Sequence, residues 1–274
     1  MKQKIAFIGA GNMAGALIGG LIADGLAPEQ LVAADPDADK RSALAAACGI
    51  ATEADNHAAV ASATIVVLAV KPQVLRGVVE DLASALAGTH TLVLSIAAGI
   101  RCSSLQGWLG QDLPLVRAMP NTPAMIQTGA TALFATPEVS AEQREQAESL
   151  LRAVGLTCWV DDEGAIDAVT ALSGSGPAYH FLVMEAMEAA AIKLGLPAET
   201  ARLLNLQTAL GAARMALESR DPPEVLRQRV TSPGGTTEAA LAVFEQGELI
   251  ELFEQALTAA HERSITLSDE LGGH

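Results

Sequence analysis

The segment Lys4–Ile8 (KIAFI) runs directly into Gly9-Ala-Gly11-Asn-Met-Ala14, and a helix-forming stretch, Ala14–Ile22, comes next with Gly25 as its stop. An apolar strand, a glycine turn and a helix in that order constrain the fold more than any other feature of the chain. Gly9 permits a tight turn, Gly11 lets a bulky group approach the backbone, and Ala14 keeps helix and strand close. The N–H groups left free at the helix start attract an anion. The pattern is a dinucleotide-binding fingerprint with alanine in its last position. Such a fingerprint means little alone; regular alternation of strands and helices after it gives it weight.

That alternation is present. Leu31–Ala34 reads as a second strand and is succeeded by a helix ending near Cys48, with Gly49 just beyond. Thr64–Val70 (TIVVLAV) and Thr91–Ile96 (TLVLSI) are β-branched runs without alternation, as in parallel strands covered on both faces. Leu115–Ala118, Ala130–Phe134 and Thr157–Val160 add further strands. Ser140-Ala-Glu-Gln143 has the form of a capping box, opening a helix that Gly155 is expected to end. The expected fold class is therefore α/β, with an N-terminal doubly wound sheet of the Rossmann type built by right-handed crossovers.

After Asp161 the texture changes, and from Glu163 onward helix formers dominate. Pro177 opens a helix to Lys193 that Gly195 stops. Pro197 opens another, in which Leu203, Leu206, Leu210, Ala213 and Leu217 recur at helical spacing. Pro222–Val230 forms a short helix, Ser232–Gly235 a break, and two more helices complete the chain. The expected domains are a dinucleotide-binding domain over 1–162 and an all-α domain for substrate binding and dimerisation over 163–274. The second is short and rich in alanine and leucine, so its helices need a partner surface, and a homodimer through it is expected.

Composition removes several function classes. A formal charge of −15 disfavours nucleic acid and anionic membranes as partners, because phosphates reward basic patches. No segment approaches the roughly 18 apolar residues of a membrane span. The apolar run at the N-terminus is broken early by Gly9, Gly11, Asn12 and Asp24, which opposes a signal peptide. Cys48, Cys102 and Cys158 are widely spaced and odd in number, which fits reduced thiols in a cytoplasm. No metal is expected, since neither HExxH nor a ligand cluster occurs, and no GxSxG elbow is present.

Strand ends and helix starts supply the remaining candidate residues. Asp35 stands about twenty residues past the glycine turn, where an acid accepts bonds from adenosine ribose hydroxyls and repels a 2′-phosphate. Two other readings stay open: Asp35 caps the next helix, or it turns away and leaves Lys40 and Arg41 to receive a phosphate. Val70-Lys71-Pro72 and Ser95-Ile-Ala-Ala-Gly99 sit at carboxyl ends of strands, where ligands bind in open α/β sheets. Ser173-Gly-Ser-Gly-Pro177 and Ser232-Pro-Gly-Gly-Thr-Thr237 each precede a helix and offer N–H groups and hydroxyls to a carboxylate. A related hydroxyacid dehydrogenase is expected to carry a lysine about four residues after the first of these; here Pro177 to Phe181 contains none. A substrate already electrophilic, such as a protonated imine, needs no such donor, and positioning supplies most of the catalysis.

Taken in order, GAGNMA, AVKPQ, SIAAGI, MPNTP, IDAVTALSGSGPAY and RVTSPGGTTEAAL span nearly the whole chain. The series closely resembles pyrroline-5-carboxylate reductase. That resemblance implies reduction of 1-pyrroline-5-carboxylate to L-proline, the last step of proline synthesis, by hydride transfer from NADPH or NADH. It implies cofactor contacts at Ile8, Gly9, Ala10, Gly11, Asn12, Met13, Asn56, Ala69, Val70, Lys71, Pro72, Ile96, Ala97 and Ala98, to which Asp35 is added by its distance from the glycine turn. It implies substrate contacts at Glu163, Ser232, Gly234, Gly235, Thr236 and Thr237, with the amides from Gly234 to Thr237 holding a carboxylate and Thr237 near the ring nitrogen. Thr237 has a plainer reading as a helix cap. The resemblance also implies dimers that interlock through their helical domains, and decamers of five dimers. Asp35 departs from the neutral residue that many members carry, which leaves the choice between NADPH and NADH open. Another cyclic imine or keto acid reductase, or a dinucleotide sensor without catalysis, are the alternatives.

Overall fold

The computed structural model describes residues 4–273. The chain runs β1 (Ile5–Ile8), α1 (Asn12–Ala23), β2 (Leu31–Ala34), α2 (Ala38–Cys48), β3 (Ala51–Glu53), α3 (Asn56–Val60), β4 (Ile65–Leu68), α4 (Pro72–Leu86) and β5 (Leu92–Ser95). Then come α5 (Cys102–Leu109), β6 (Leu115–Met119), β7 (Gly129–Ala135), α6 (Ala141–Arg152) and β8 (Gly155–Trp159). The rest is helical: α7 (Ala165–Val169), α8 (Gly176–Lys193), α9 (Ala198–Glu218), α10 (Pro223–Arg229), α11 (Thr236–Gln246) and α12 (Leu249–Gly272).

All eight strands form one sheet in the order β3-β2-β1-β4-β5-β6-β7-β8. Strands β1 to β6 are parallel, β7 runs antiparallel to β6, and β8 is parallel to β7. The reversal has a simple cause. A parallel crossover needs about a dozen residues and usually a helix, whereas β6 and β7 are joined through a short 3₁₀ turn, Thr122–Ile126. Alternate residues of each strand feed opposite apolar layers. Ile5 and Phe7 pack with Leu17, Ile18, Val67 and Leu94 on one face, and Ala6 and Ile8 with Val66, Leu68, Leu75 and Leu105 on the other. Strands buried on both faces explain the continuous apolar runs of β1, β4 and β5.

Several local expectations are corrected. Gly155 does not end α6, which stops at Arg152 with Ala153 as its cap; Gly155 instead begins β8 at φ +150°. An added Cβ there would lie 2.1 Å from the Gly129 carbonyl oxygen, so glycine is required by the approach of two backbones. Strand β3 and helix α3 were not expected. Ser173-Gly-Ser-Gly is no open break: Thr170–Gly174 is a π-helical turn, and helical geometry continues through Ser175 into α8.

By its internal contacts the chain falls into two compact units, one running to Ser175 and resuming at Ala259, the other Gly176–Thr258. The first holds the sheet and the last part of α12. The second is entirely helical, and Asn205 Nδ2 donates to the Met184 carbonyl oxygen at 2.7 Å to tie α9 to α8. Within Gly176–Thr258 only Gly176 and Ala201 are buried. Among the described residues no helix is long and apolar enough to cross a membrane.

Candidate active site

The strand order reverses between β1 and β4, and in doubly wound sheets the crevice outside the carboxyl ends of the strands at such a point binds the ligand. Ile8 ends β1, and Gly9, Ala10 and Gly11 lead to Asn12 and Met13 at the start of α1. The turn is pinned from both neighbours, because the Gly9 N–H donates to the Ala34 carbonyl oxygen at 2.7 Å and the Ala69 N–H to that of Ile8 at 2.8 Å. Gly9 lies at φ +106°, and a Cβ on it would come within 2.7 Å of the Ala69 carbonyl oxygen. At Gly11 a Cβ would meet nothing within 4 Å. The fold therefore does not use the space above Gly11, and the first-turn N–H groups of α1 are donors an anion could accept from.

The other expected cofactor residues gather on the same sheet edge. Ala69 to Pro72 come directly after β4, with Lys71 exposed and Pro72 opening α4. Ile96, Ala97 and Ala98 come directly after β5, with Ala97 buried and Ala98 exposed. Asn56 opens α3 just beyond β3. Asp35 is 7% exposed at the end of β2. Its Oδ2 accepts the Ala10 N–H and its Oδ1 the Asp37 N–H, both at 2.9 Å. Asp35 thus does not cap α2. Asp37 does, accepting from the N–H groups of Asp39 and Lys40.

Glu163 lies just before α7. Its Oε1 accepts from the Cys102 N–H at 2.8 Å and from Arg117 Nη1 at 2.9 Å. Arg117, in the middle of β6, is 1% exposed, so Glu163 is the counter-charge of a buried guanidinium. Burial pushes the Cys102 thiol up, and the Glu163 carboxylate adds to the effect, which disfavours the thiolate. A second buried group stands nearby in the same unit. Asp167, 2% exposed, accepts from the Ser264 hydroxyl of α12 at 2.7 Å and pairs with Arg101 at 3.5 Å. Leu267 and Leu271 of α12 pack against Gly99, and so back the loop that holds Ile96 to Ala98. The sequence reading missed Arg117, Arg101, Asp167 and Ser264. The available signal was an arginine inside the expected strand Leu115–Ala118, since a charge buried in a sheet requires a partner.

In the helical unit, Gly234 lies at φ +69° and Gly235 is the N-cap of α11. Two of the amides expected to hold a carboxylate already have partners: the Gly234 N–H donates to Glu238 Oε2 at 2.7 Å and the Gly235 N–H to the Ser232 carbonyl oxygen at 2.9 Å. Thr236 and Thr237 are the first two residues of α11, whose N–H groups have no intrahelical acceptor. Ser232 and Thr236 are exposed, and Thr237, the second residue of the helix, is half-buried. No side chain caps α11, so Thr237 is not a cap. Among the described residues no group of three His, Cys, Asp or Glu could hold a metal.

A pyrroline-5-carboxylate reductase of Pseudomonas aeruginosa is 56% identical over 269 residues, covering 98% of this chain and 98% of that protein. This chain belongs to the pyrroline-5-carboxylate reductase family. The reductase of Vibrio alginolyticus is 45% identical over 96% of each chain. Residues 163–267 match the family described as pyrroline-5-carboxylate reductase dimerisation, and residues 4–99 that described as NADP oxidoreductase, coenzyme F420-dependent. Among solved structures, the pyrroline-5-carboxylate reductase from Coxiella burnetii has a TM-score of 0.94 at 49% identity, covering 98% of this chain and 100% of that one. The Plasmodium falciparum pyrroline carboxylate reductase, solved with NADP bound, has a TM-score of 0.87 at 27% identity, covering 98% and 99%. Membership of the pyrroline-5-carboxylate reductase family makes this chain an oxidoreductase of a small-molecule substrate and a homo-oligomer.

Proposed function

We propose that this protein reduces 1-pyrroline-5-carboxylate to L-proline, and that NADPH or NADH supplies the hydride. Ile8 to Met13, Asp35, Asn56, Ala69 to Pro72 and Ile96 to Ala98 form the cofactor edge, and the open space above Gly11 supports that placement. The observation that carries the substrate reading is the Ser232–Thr237 turn. It enters α11 with Thr236 and Thr237 N–H groups aimed out of the helix start, and the Thr237 hydroxyl makes no hydrogen bond to another described residue. Those two amides hold the substrate carboxylate, and Gly234 joins them when Glu238 moves off its N–H. Thr237 Oγ1 then stands at the ring nitrogen. Hydride adds to the imine carbon, a proton reaches the nitrogen through the Thr237 hydroxyl or a water it holds, and a secondary amine results. Glu163 uses Oε1 to fix β6 and the start of α5, and the likeness to the family is what supports it as a substrate contact.

We place the functional boundary at 162/163, where the dimerisation match begins. The likeness to the family supports five dimers assembling into a decamer. Three free, widely spaced cysteines support a cytoplasmic location.

Thr237 decides the reading. Thr237→Ala lowers kcat/KM for the imine by about one to three orders of magnitude, the scale of one well-placed donor or proton relay. Thr237→Ser retains far more activity, and dinucleotide affinity measured by calorimetry stays constant in both. Normal turnover by the alanine variant, followed at the nicotinamide absorbance band, removes Thr237 from the chemistry.

A further inference from the structure

We propose that Asp35 makes this enzyme prefer NADH to NADPH, because the protein's own carboxylates already fill the positions that would bind a 2′-phosphate. The inference rests on the proposed cofactor edge. Asp35 stands at the carboxyl end of β2, beside the glycine turn, where an adenosine ribose is placed in this fold. Its carboxylate is anchored at both oxygens, by the Ala10 and Asp37 N–H groups. Turning it away would leave two N–H groups without their acceptor, and burial makes that costly.

The start of α2 is the other natural place for an anion, since helix N-termini attract phosphate. There two of the first-turn donors are taken. The Asp39 and Lys40 N–H groups donate to Asp37 Oδ1 at 3.0 and 3.3 Å. Lys40 Nζ is 3.9 Å from Asp35 Oδ2 and 3.9 Å from Asp37 Oδ2, so its charge is shared between two carboxylates. Arg41 Nη1 donates to the Asp35 carbonyl oxygen at 2.6 Å. A 2′-phosphate arriving here meets the carboxylates of Asp35 and Asp37 against Lys40 and Arg41, with the N–H groups of Ala10, Asp37, Asp39 and Lys40 already bonded. A 2′-hydroxyl carries no charge and donates a proton, and each carboxylate oxygen keeps a second lone pair to accept it.

Calorimetry with ADP-ribose and 2′-phospho-ADP-ribose, which cannot react, isolates this subsite, and NADH and NADPH are titrated alongside. The wild type binds the unphosphorylated form of each pair at least about tenfold more tightly at low salt, as expected when like charges are brought together. Asp35→Ser narrows that ratio to within about threefold or reverses it. Asp35→Asn, which keeps the size and one acceptor, moves it the same way and guards against misfolding of the serine variant. Equal binding by the wild type, tighter binding of the phosphorylated form, or a ratio unchanged in both variants overturns the inference while leaving the site in place. Failure of all four ligands to bind overturns the cofactor edge and this inference with it.

Discussion

A Cβ added at Gly9 would press into the Ala69 carbonyl, and the residue's φ of +106° is already unfavourable for any L side chain; one added at Gly11 would meet open space. The fold therefore requires glycine at position 9 and places no demand on position 11, where the proposed function puts the pyrophosphate. Gly9→Ala lowers stability by at least about 1–2 kcal/mol from the backbone conformation alone, before the clash is counted. Gly11→Val leaves the melting temperature near that of wild type but weakens dinucleotide binding by about tenfold or more. Calorimetric titration together with a thermal melt separates the two effects, and a Gly11→Val protein with normal cofactor affinity puts the pyrophosphate elsewhere. The tight turn at Gly9 could be read from the strand–turn–helix pattern. The partners of Asp35 could not, because the Ala10 N–H reaches that carboxylate across 25 residues of sequence. The N-cap two residues later, Asp37, hid behind the same ambiguity: Asp, Pro, Asp and Ala in succession offer two acids of equal capping propensity. Only the position of the glycine turn chooses between them.

At the scale of elements, apolar runs located the strands well and said little about their direction. TIVVLAV and TLVLSI became β4 and β5 within two residues at each end, because strands buried on both faces have no alternation to misread. Strand β3 escaped notice because Ala51–Glu53 is short, exposed and at the sheet edge, so burial left no mark on its residues. Gly155 was misassigned because a glycine after a helix is usually its stop, whereas here the close approach of Gly129 demands it. The buried arginine of β6 is the clearest case of an element held by something distant, since Glu163 lies 46 residues on. Removing the carboxylate leaves a guanidinium at 1% exposure without its counter-charge. Glu163→Ala is expected to destabilise by about 3–5 kcal/mol, and Arg117→Met combined with Glu163→Met to recover most of that loss. Urea unfolding at one fixed protein concentration measures both. A single variant no less stable than the wild type would mean that water reaches the guanidinium.

For the molecule as a whole, the helical unit is incomplete alone. Gly176–Thr258 buries two residues in all, while Leu203 is 62% and Leu217 80% exposed, and Phe181, Met187, Leu210 and Phe244 are exposed as well. An apolar surface of this extent marks an interface, and the match to a dimerisation family over 163–267 names the partner as a second copy. The heptad-like recurrence of Leu203, Leu206, Leu210 and Leu217 was visible in the sequence because interface and core obey the same periodicity. Whether such a stripe faces the chain's own core or another chain depends on how many helices are at hand to cover it, and this unit has too few. Burying a leucine contributes about 1.5–3 kcal/mol, and in a twofold dimer each substitution acts twice. Leu210→Glu should therefore weaken dimerisation by about two to four orders of magnitude. Light scattering after size exclusion, at micromolar concentration, should show the wild type as dimer or larger and the variant shifted toward monomer. The wild-type melting temperature should rise with protein concentration, as mass action requires, and that dependence should fade in the variant. The sheet unit buries its own core on both faces, so dinucleotide binding should survive in the monomer. A Leu210→Glu protein that stays fully associated and melts like wild type would show that the dimer is built on another face of the helical unit.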